Sequence, residues 1–212
     1  AESPHYIGTP AMNSFLESLS RNAQLVFEKK VEVIKPCDGL WELYDKDRKS
    51  LGCFDWVISA VPAPQANEIL PEVFDFRDAM SEIEMSACFS LMVGFKRPVE
   101  LEFDAAIVKN SDISWISLNS SKPDRMGKPS VLVHSSDKWA DKNIGIEPET
   151  ASHHLLNTLS NTIDLPVDNL AFRDLKFWRY ANVSKQKSNQ VFLDVANRLG
   201  ACGDWCIEGT VE

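Results

Sequence analysis

An α+β or α/β fold arranged in two portions is what this sequence predicts, on three observations. Short alternating or apolar segments bounded by turn residues recur along most of the chain. One long segment, residues 149–163, has a helical period, with Leu155, Leu156, Leu159 and Ile163 on one face. No internal repeat, low-complexity linker or composition break separates one half from the other, so a two-domain chain must cross between its domains more than once.

The elements come in this order. Asn13 or Ser14 caps a predicted helix to about residue 21, with Phe15, Leu16 and Leu19 on its buried face. Residues 25–34 alternate and are rich in valine, which predicts a strand. Asp38-Gly39 is a hairpin turn signal. Strands at 40–44 and 51–60 complete a three-stranded meander, and the end of the third, Trp56 through Val61, is apolar on both faces, as in a buried central strand. Pro62 and Pro64 stop it, and a short helix is predicted at 65–70. Four strands at 86–95, 105–109, 113–118 and 130–135 predict a largely antiparallel sheet. After the 149–163 helix come strands at 170–180, 191–195 and 198–202, then a Gly203-Asp204 turn and the first turn of a helix. The expected domain division is 1–61, 62–180 and 181–212, with crossings near 62–71 and 180–188.

The totals bound the function. Hydrophobic residues are 44% of the 212, enough for a real core. A net charge of −9 argues against a nucleic-acid partner, which needs a basic face, and against docking on anionic lipid. No apolar run reaches membrane-spanning length and the N-terminal residues are polar, so a cytoplasmic protein is expected. Five cysteines at irregular spacing, with no Cys-x-x-Cys, read as reduced, buried thiols, and no metal site is assigned.

Few residues stand out chemically. His5, His134, His153 and His154 form no ligand or catalytic pattern and read as packed or solvated. There is no nucleophile elbow, no phosphate loop of the Gly-x-x-x-x-Gly-Lys type and no Gly-x-Gly-x-x-Gly, so a self-contained dinucleotide domain is not expected in these residues. The loop with Lys122, Pro123 and Arg125 reads first as a solvated hairpin loop. Phe177-Trp178-Arg179-Tyr180 is balanced between an anion- or ring-holding cluster and plain strand packing. A strand end feeding Gly203-Asp204 into a helix start is how several folds aim backbone N–H groups and one carboxylate at a dinucleotide.

Taken in order, these segments resemble the FAD-dependent amine oxidase superfamily, in particular its renalase-like members. The segments are Tyr6 to Asn13 (with Ala11 where a glycine is common), Lys30 to Ile34, Asp55 to Gln65, Trp115 to Pro123 with Arg125, Val133 to Ser135 with Trp139, Phe177 to Ala181, and Cys202 to Trp205. The resemblance implies a two-domain FAD/NAD(P)-binding-type fold, here mostly the antiparallel or mixed-sheet substrate domain with part of the Rossmann-type domain. It implies FAD held through Asp204, Gly203, Val31, Pro62 and Trp205, with Asp204 on the ribityl or pyrophosphate part and the Val31 backbone at adenine. Trp178, Arg179, Tyr180 and Lys122 are the implied substrate-side residues. The implied chemistry is hydride transfer to flavin from an amine or a dihydronicotinamide-like small molecule, with oxygen as acceptor; the cofactor carries it, so no catalytic side chain is assigned. The resemblance further implies a longer parent, with the Gly-rich loop and first helix roughly a hundred residues before Ala1. On that expectation the chain alone holds FAD weakly and is inactive, and the apolar strips at 56–61 and 191–193 are exposed and covered by dimerisation or local disorder. The contrasting reading is a non-catalytic ligand- or protein-binding module without a cofactor domain.

Overall fold

The computed structural model describes residues 6–125, 127, 129–165, 169–183 and 191–207. Its elements are helix α1 (Ser14–Leu19), strands β1 (Val33–Cys37), β2 (Leu40–Tyr44), β3 (Ser50–Phe54) and β4 (Val57–Ser59), helices α2 (Ala63–Ile69) and α3 (Arg77–Ser81), strands β5 (Met85–Phe95), β6 (Ala105–Ile107), β7 (Ile113–Leu118) and β8 (Ser130–Ser135), helices α4 (Asp137–Lys142) and α5 (Pro148–Thr162), and strands β9 (Leu170–Val183), β10 (Phe192–Asp194) and β11 (Leu199–Ala201). The chain divides into two compact units, Ala1–Leu25 with Ala87–Arg179, and Val26–Ser86 with Tyr180–Glu212. The second cut falls inside β5 and the third inside β9.

The first unit is built on a five-stranded sheet in the order β6-β7-β8-β5-β9. Alternation sends Leu91, Val93, Ile116, Val131 and Val133 to one face, where Ala151, Leu155 and Leu159 of α5 pack against them. Each of these buried aliphatic side chains contributes about 1.5–3 kcal/mol. The other face carries Trp115 opposite His134 and Ser117 opposite Leu132. Helix α5 starts where Glu147 accepts the N–H groups of Glu149 and Thr150 at 2.7 and 3.0 Å and Pro148 fills its first turn. Buried Asn169 ties the end of β5 to the start of β9. Its Oδ1 accepts Arg97 N–H at 2.9 Å, and its Nδ2 donates to the Arg97 carbonyl at 3.0 Å.

The second unit holds two small sheets, the antiparallel meander β1-β2-β3 and a mixed sheet β10-β11-β4 in which β11 runs parallel to β4. Asp38 and Gly39 both take positive φ, as a two-residue hairpin turn requires. A polar clamp joins the pieces of this unit. Trp41 Nε1 donates to the Asn197 carbonyl at 2.8 Å, and Asn197 donates to Asp194 through its backbone N–H at 2.9 Å and its Nδ2 at 2.8 Å. Asp75 N–H also donates to Asp194, at 3.2 Å. Phe74, Met80, Leu199 and Trp205 fill the core.

Several expectations need correction. Helix α1 forms, but it buries no residue; Phe15, Leu16 and Leu19 are exposed. The strand expected at 25–34 begins only at Val33, because Glu28 at φ 56° interrupts the extended chain and β2 pairs with β1 only over 33–37. The third meander strand is two strands. At Asp55-Trp56 the chain leaves β2 and joins β11, and Ile58 is 59% exposed rather than buried on both faces. Helices α3 and α4 carry no strong periodic signal. Of the cysteines only Cys88 and Cys206 are buried; Cys53 is exposed and Cys37 and Cys202 are half-buried. The helix start expected after Gly203-Asp204 is a single 3-10 turn over Asp204–Cys206, and His5, most of the 180–188 crossing and the residues after Ile207 lie outside the described residues.

Candidate functional site

In the second unit, β4 and β11 run parallel and end level, Ser59 beside Ala201. The segments leaving the two strands are therefore set side by side. After β4 come Val61, Pro62 and the first turn of α2; after β11 come Cys202, Gly203 and Asp204. The carboxyl edge of parallel strands is where open α/β sheets bind ligands. Trp205 ties the two segments, its Nε1 donating to the Val61 carbonyl at 3.0 Å. A Cβ on Gly203 would lie 2.3 Å from that same indole nitrogen, so the close approach admits only glycine. The Asp204 carboxylate is exposed and accepts Trp205 N–H at 2.8 Å.

Beside this edge is a cavity of about 560 Å³, walled by Lys30, Val31, Ser59, Ala60, Val61 and Glu68 among others. The Ser59 hydroxyl on its wall is buried and has no hydrogen-bond partner among the described residues. An orphaned buried hydroxyl is uncommon; its oxygen has almost no accessible surface, so a polar ligand in the cavity would reach it only after a small shift of the wall.

The first unit has its own cavity, of about 580 Å³, on the sheet face opposite α5. Trp115, Leu132, Ile7 and Met12 give it apolar walls, and Lys122 and His134 give it polar ones. Arg125 fastens the 7–12 segment, donating to the Gly8 carbonyl at 3.1 Å and to the Pro10 carbonyl. Burial pushes the Lys122 ammonium below its ordinary value, and the Arg125 charge adds to that. Burial also lowers His134 from 6.5, again aided by a cation, Lys122. His134 is thus a neutral imidazole at pH 7.

The expected site residues are divided accordingly. Gly203, Asp204, Trp205 and Pro62 gather at the β4–β11 edge, and Val31 lines the adjacent cavity. Trp205 itself is fully buried and stacks on Phe192 at 5.7 Å. Lys122 lines the first unit's cavity, whereas Trp178 and Arg179 are not among its walls. Trp178 and Arg179 are exposed on β9 in the first unit, and Tyr180 begins the last segment of the second. Phe177 packs on Phe89 at 4.7 Å, which is strand packing. Sequence reasoning alone does not single out His134. Its signal is the Val131-Leu132-Val133-His134 alternation, which puts His134 on the face opposite the core valines. His154, by contrast, is structural: it stacks on Trp139 at 4.9 Å and pairs with Asp112 at 2.8 Å.

A family model described as flavin containing amine oxidoreductase matches residues 1–182. The chain belongs to that family. Solved structures agree on the fold of this flavin amine oxidoreductase member, which is of the FAD/NAD(P)-binding type. A protein described as a protoporphyrinogen oxidase from Exiguobacterium sp. 255-15 aligns with a TM-score of 0.69 at 12% identity, over 92% of this chain and 46% of its own. Cyclohexylamine oxidase from Brevibacterium oxydans IH-35A aligns at 0.63 and 14%, over 90% and 45%. Putrescine oxidase bound to putrescine aligns at 0.63 and 14%, over 92% and 46%. The family member described here thus spans a little under half the length of these solved relatives. At such identities the likeness carries the fold and not the substrate. Among the described residues no helix is long and apolar enough to cross a membrane.

Proposed function

We propose that this chain supplies part of the cofactor site and a substrate pocket of an FAD-dependent oxidoreductase of the amine oxidase type, renalase-like in its motifs. The observation that carries the reading is the β4–β11 edge, where Gly203 and Asp204 sit beside Pro62, next to a cavity with Val31 and the orphaned Ser59 hydroxyl on its wall. The cavity fits the adenosine end of FAD. Its volume suits a small flat ring, Val31 lies on its wall, and the unspent Ser59 hydroxyl lies in the same wall. Asp204 and the Gly203 backbone would hold the ribityl or pyrophosphate portion, while Trp205 serves by packing beneath them.

FAD, when bound, supplies the hydride acceptor, with dioxygen as the final oxidant in our reading. The chain's own residues orient and desolvate the substrate. The Trp115 and Leu132 walls offer a bound substrate apolar contact in the first unit's cavity, and neutral His134 can accept a proton or a hydrogen bond at an imidazole nitrogen. Lys122, with Arg125 near it, disfavours a second cation there. That supports a neutral amine, or a dihydronicotinamide-like substrate carrying an anionic group, over an ammonium ion.

The test is ligand titration monitored by tryptophan fluorescence. ADP should bind this 212-residue chain and riboflavin should not, because the cavity serves the adenosine end. Ser59→Val should weaken ADP about fivefold, the value of one ordinary hydrogen bond. Equal binding of riboflavin, or indifference to Ser59→Val, would overturn the reading. The chain by itself should retain FAD weakly and form no peroxide from amines, since no Gly-x-Gly-x-x-Gly cradle for the pyrophosphate lies within its residues.

A further inference from the structure

The β1–β2–β3 meander has one face in the core and one in solvent. Ile34, Trp41 and Leu43 pack inward, and the alternate positions, Lys35, Cys37, Glu42, Tyr44 and Cys53, take the other face. On that outer face the Cys37 thiol, the Glu42 carboxylate and the Cys53 thiol come together from three different strands. One ligand atom of each lies within 4.8 Å of the other two. The meander is irregular next to the cluster, with a register shift between Leu43 and Tyr44 and Gly52 at φ 116°.

We propose that Cys37, Glu42 and Cys53 form a binding site for one thiophilic divalent cation of the zinc class, with its fourth position open to solvent. Two thiolates and a carboxylate are a donor set that such a cation accepts. Metal–sulfur bonds of about 2.3 Å in a tetrahedron set the sulfurs about 3.8 Å apart, so the site closes with a contraction of about 1 Å at most. The carboxylate is already held in place. Ser50 Oγ donates to one Glu42 oxygen and the Tyr44 hydroxyl to the other, each at 2.6 Å. Outer hydroxyls of this kind fix a ligand's orientation, and both oxygens keep a lone pair for a metal. These two bonds also hold the Glu42 carboxyl below its ordinary value, so it is ionised at neutral pH.

A disulfide is the competing use of two close thiols, and the strand order disfavours it. β2 lies between β1 and β3, so the two α-carbons are about two strand spacings apart, roughly 9–10 Å, well beyond the reach of a disulfide. A thiol binds a metal as its thiolate, so metal entry expels protons and affinity should rise with pH. Lys35 shares this face, but its ammonium lies over the Tyr44 ring, 5.8 Å from the centroid. Sequence spacing shows no zinc pattern here because hairpin geometry, not a short motif, brings the ligands together.

The test is cobalt(II) titration of the reduced, metal-free chain, monitoring the near-ultraviolet thiolate-to-cobalt charge-transfer band. The expected result is a band that saturates at one equivalent and is erased by zinc. It should be lost in Cys37→Ser and in Cys53→Ser, and retained in Cys202→Ser. Glu42→Gln should weaken binding at least about tenfold, and Tyr44→Phe less, as an outer partner. Circular dichroism of each variant separates loss of the site from loss of the fold. No band in the parent chain, a band surviving both cysteine substitutions, or a Cys37–Cys53 disulfide found by mass spectrometry in the isolated protein would overturn the proposal.

Discussion

Gly203 shows how one atom's absence shapes the site. Its φ of 165° is extended and open to any residue, so backbone freedom is not why glycine stands there. The reason is the Trp205 indole, buried and bonded to the Val61 carbonyl, which occupies the place of a Cβ. Gly203→Ala should therefore cost about 1–3 kcal/mol in a urea unfolding measurement. In a Trp205→Phe background, where the offending nitrogen is gone, the same Gly203→Ala change should cost less. His134 sets a pH dependence. Its folded value lies below the unfolded 6.5, so the unfolded chain binds the extra proton first. Stability from this group is complete above 6.5 and lost as pH falls through that value. The urea midpoint should drop between about pH 8 and about pH 5, and His134→Gln should flatten the drop. Asp194 titrates in a separate window. Burial raises it, but the Asn197, Asp75 and Ala196 hydrogen bonds outweigh burial and hold it below 3.8. The Gly203-Asp204 turn was legible because its local chemistry is unusual. His134 and the Cys37–Glu42–Cys53 cluster were not, because each acquires its role from neighbours on other strands.

At the scale of elements, regular alternation is legible in the sequence and changes of partner are not. β7 and β8 fall where Ile113–Leu118 and Ser130–Ser135 alternate, and α5 obeys its leucine spacing, starting one residue earlier than expected at Pro148. The run through Asp55 looks like one strand because nothing in its residues marks the move from β2 to β11; that choice is made by the distant Leu199–Ala201 segment. The 25–32 segment suits a strand, yet Glu28 breaks the extension, and its one backbone bond to β2 is Glu32 N–H to the Tyr44 carbonyl at 2.8 Å among the described residues. Asn169 carries the element-scale prediction. It accepts from and donates to the same Arg97 residue while buried, so Asn169→Ala leaves an N–H and a C=O without their partner. A loss of about 1–3 kcal/mol is expected by chemical denaturation. Asn169→Asp should not restore it, because a carboxylate cannot donate to the Arg97 carbonyl.

At the scale of the whole chain, two hydrophobic clusters share no residue. One is centred on Leu155, Leu159, Phe89 and Val133, the other on Phe74, Met80, Leu199 and Trp205. Each cluster lies within one unit, so each unit has a core of its own. The sequence announces the need for two portions but not the cuts, since two of them fall inside continuous strands whose residues look uniform. The second unit also exposes Ile58, Val191, Leu193 and Val195, an apolar strip made flat by Gly200 between Ile58 and Leu193. Self-association through it stays an expectation: sedimentation should show concentration-dependent mass, reduced by Ile58→Lys. The sharper whole-chain measurement is unfolding with truncations in each core. Leu155→Ala should cost about 2–5 kcal/mol and Phe74→Ala about 3–5 kcal/mol, at about 4–8 °C per kcal/mol in melting temperature for a unit melting alone and about 2–4 °C for the chain melting as one. If the units melt separately, calorimetry of the parent resolves two transitions, and each substitution lowers one of them while leaving the other in place. A single transition lowered equally by both would mean that the two cores unfold as one cooperative unit, and that ligands of either cavity stabilise the whole chain alike.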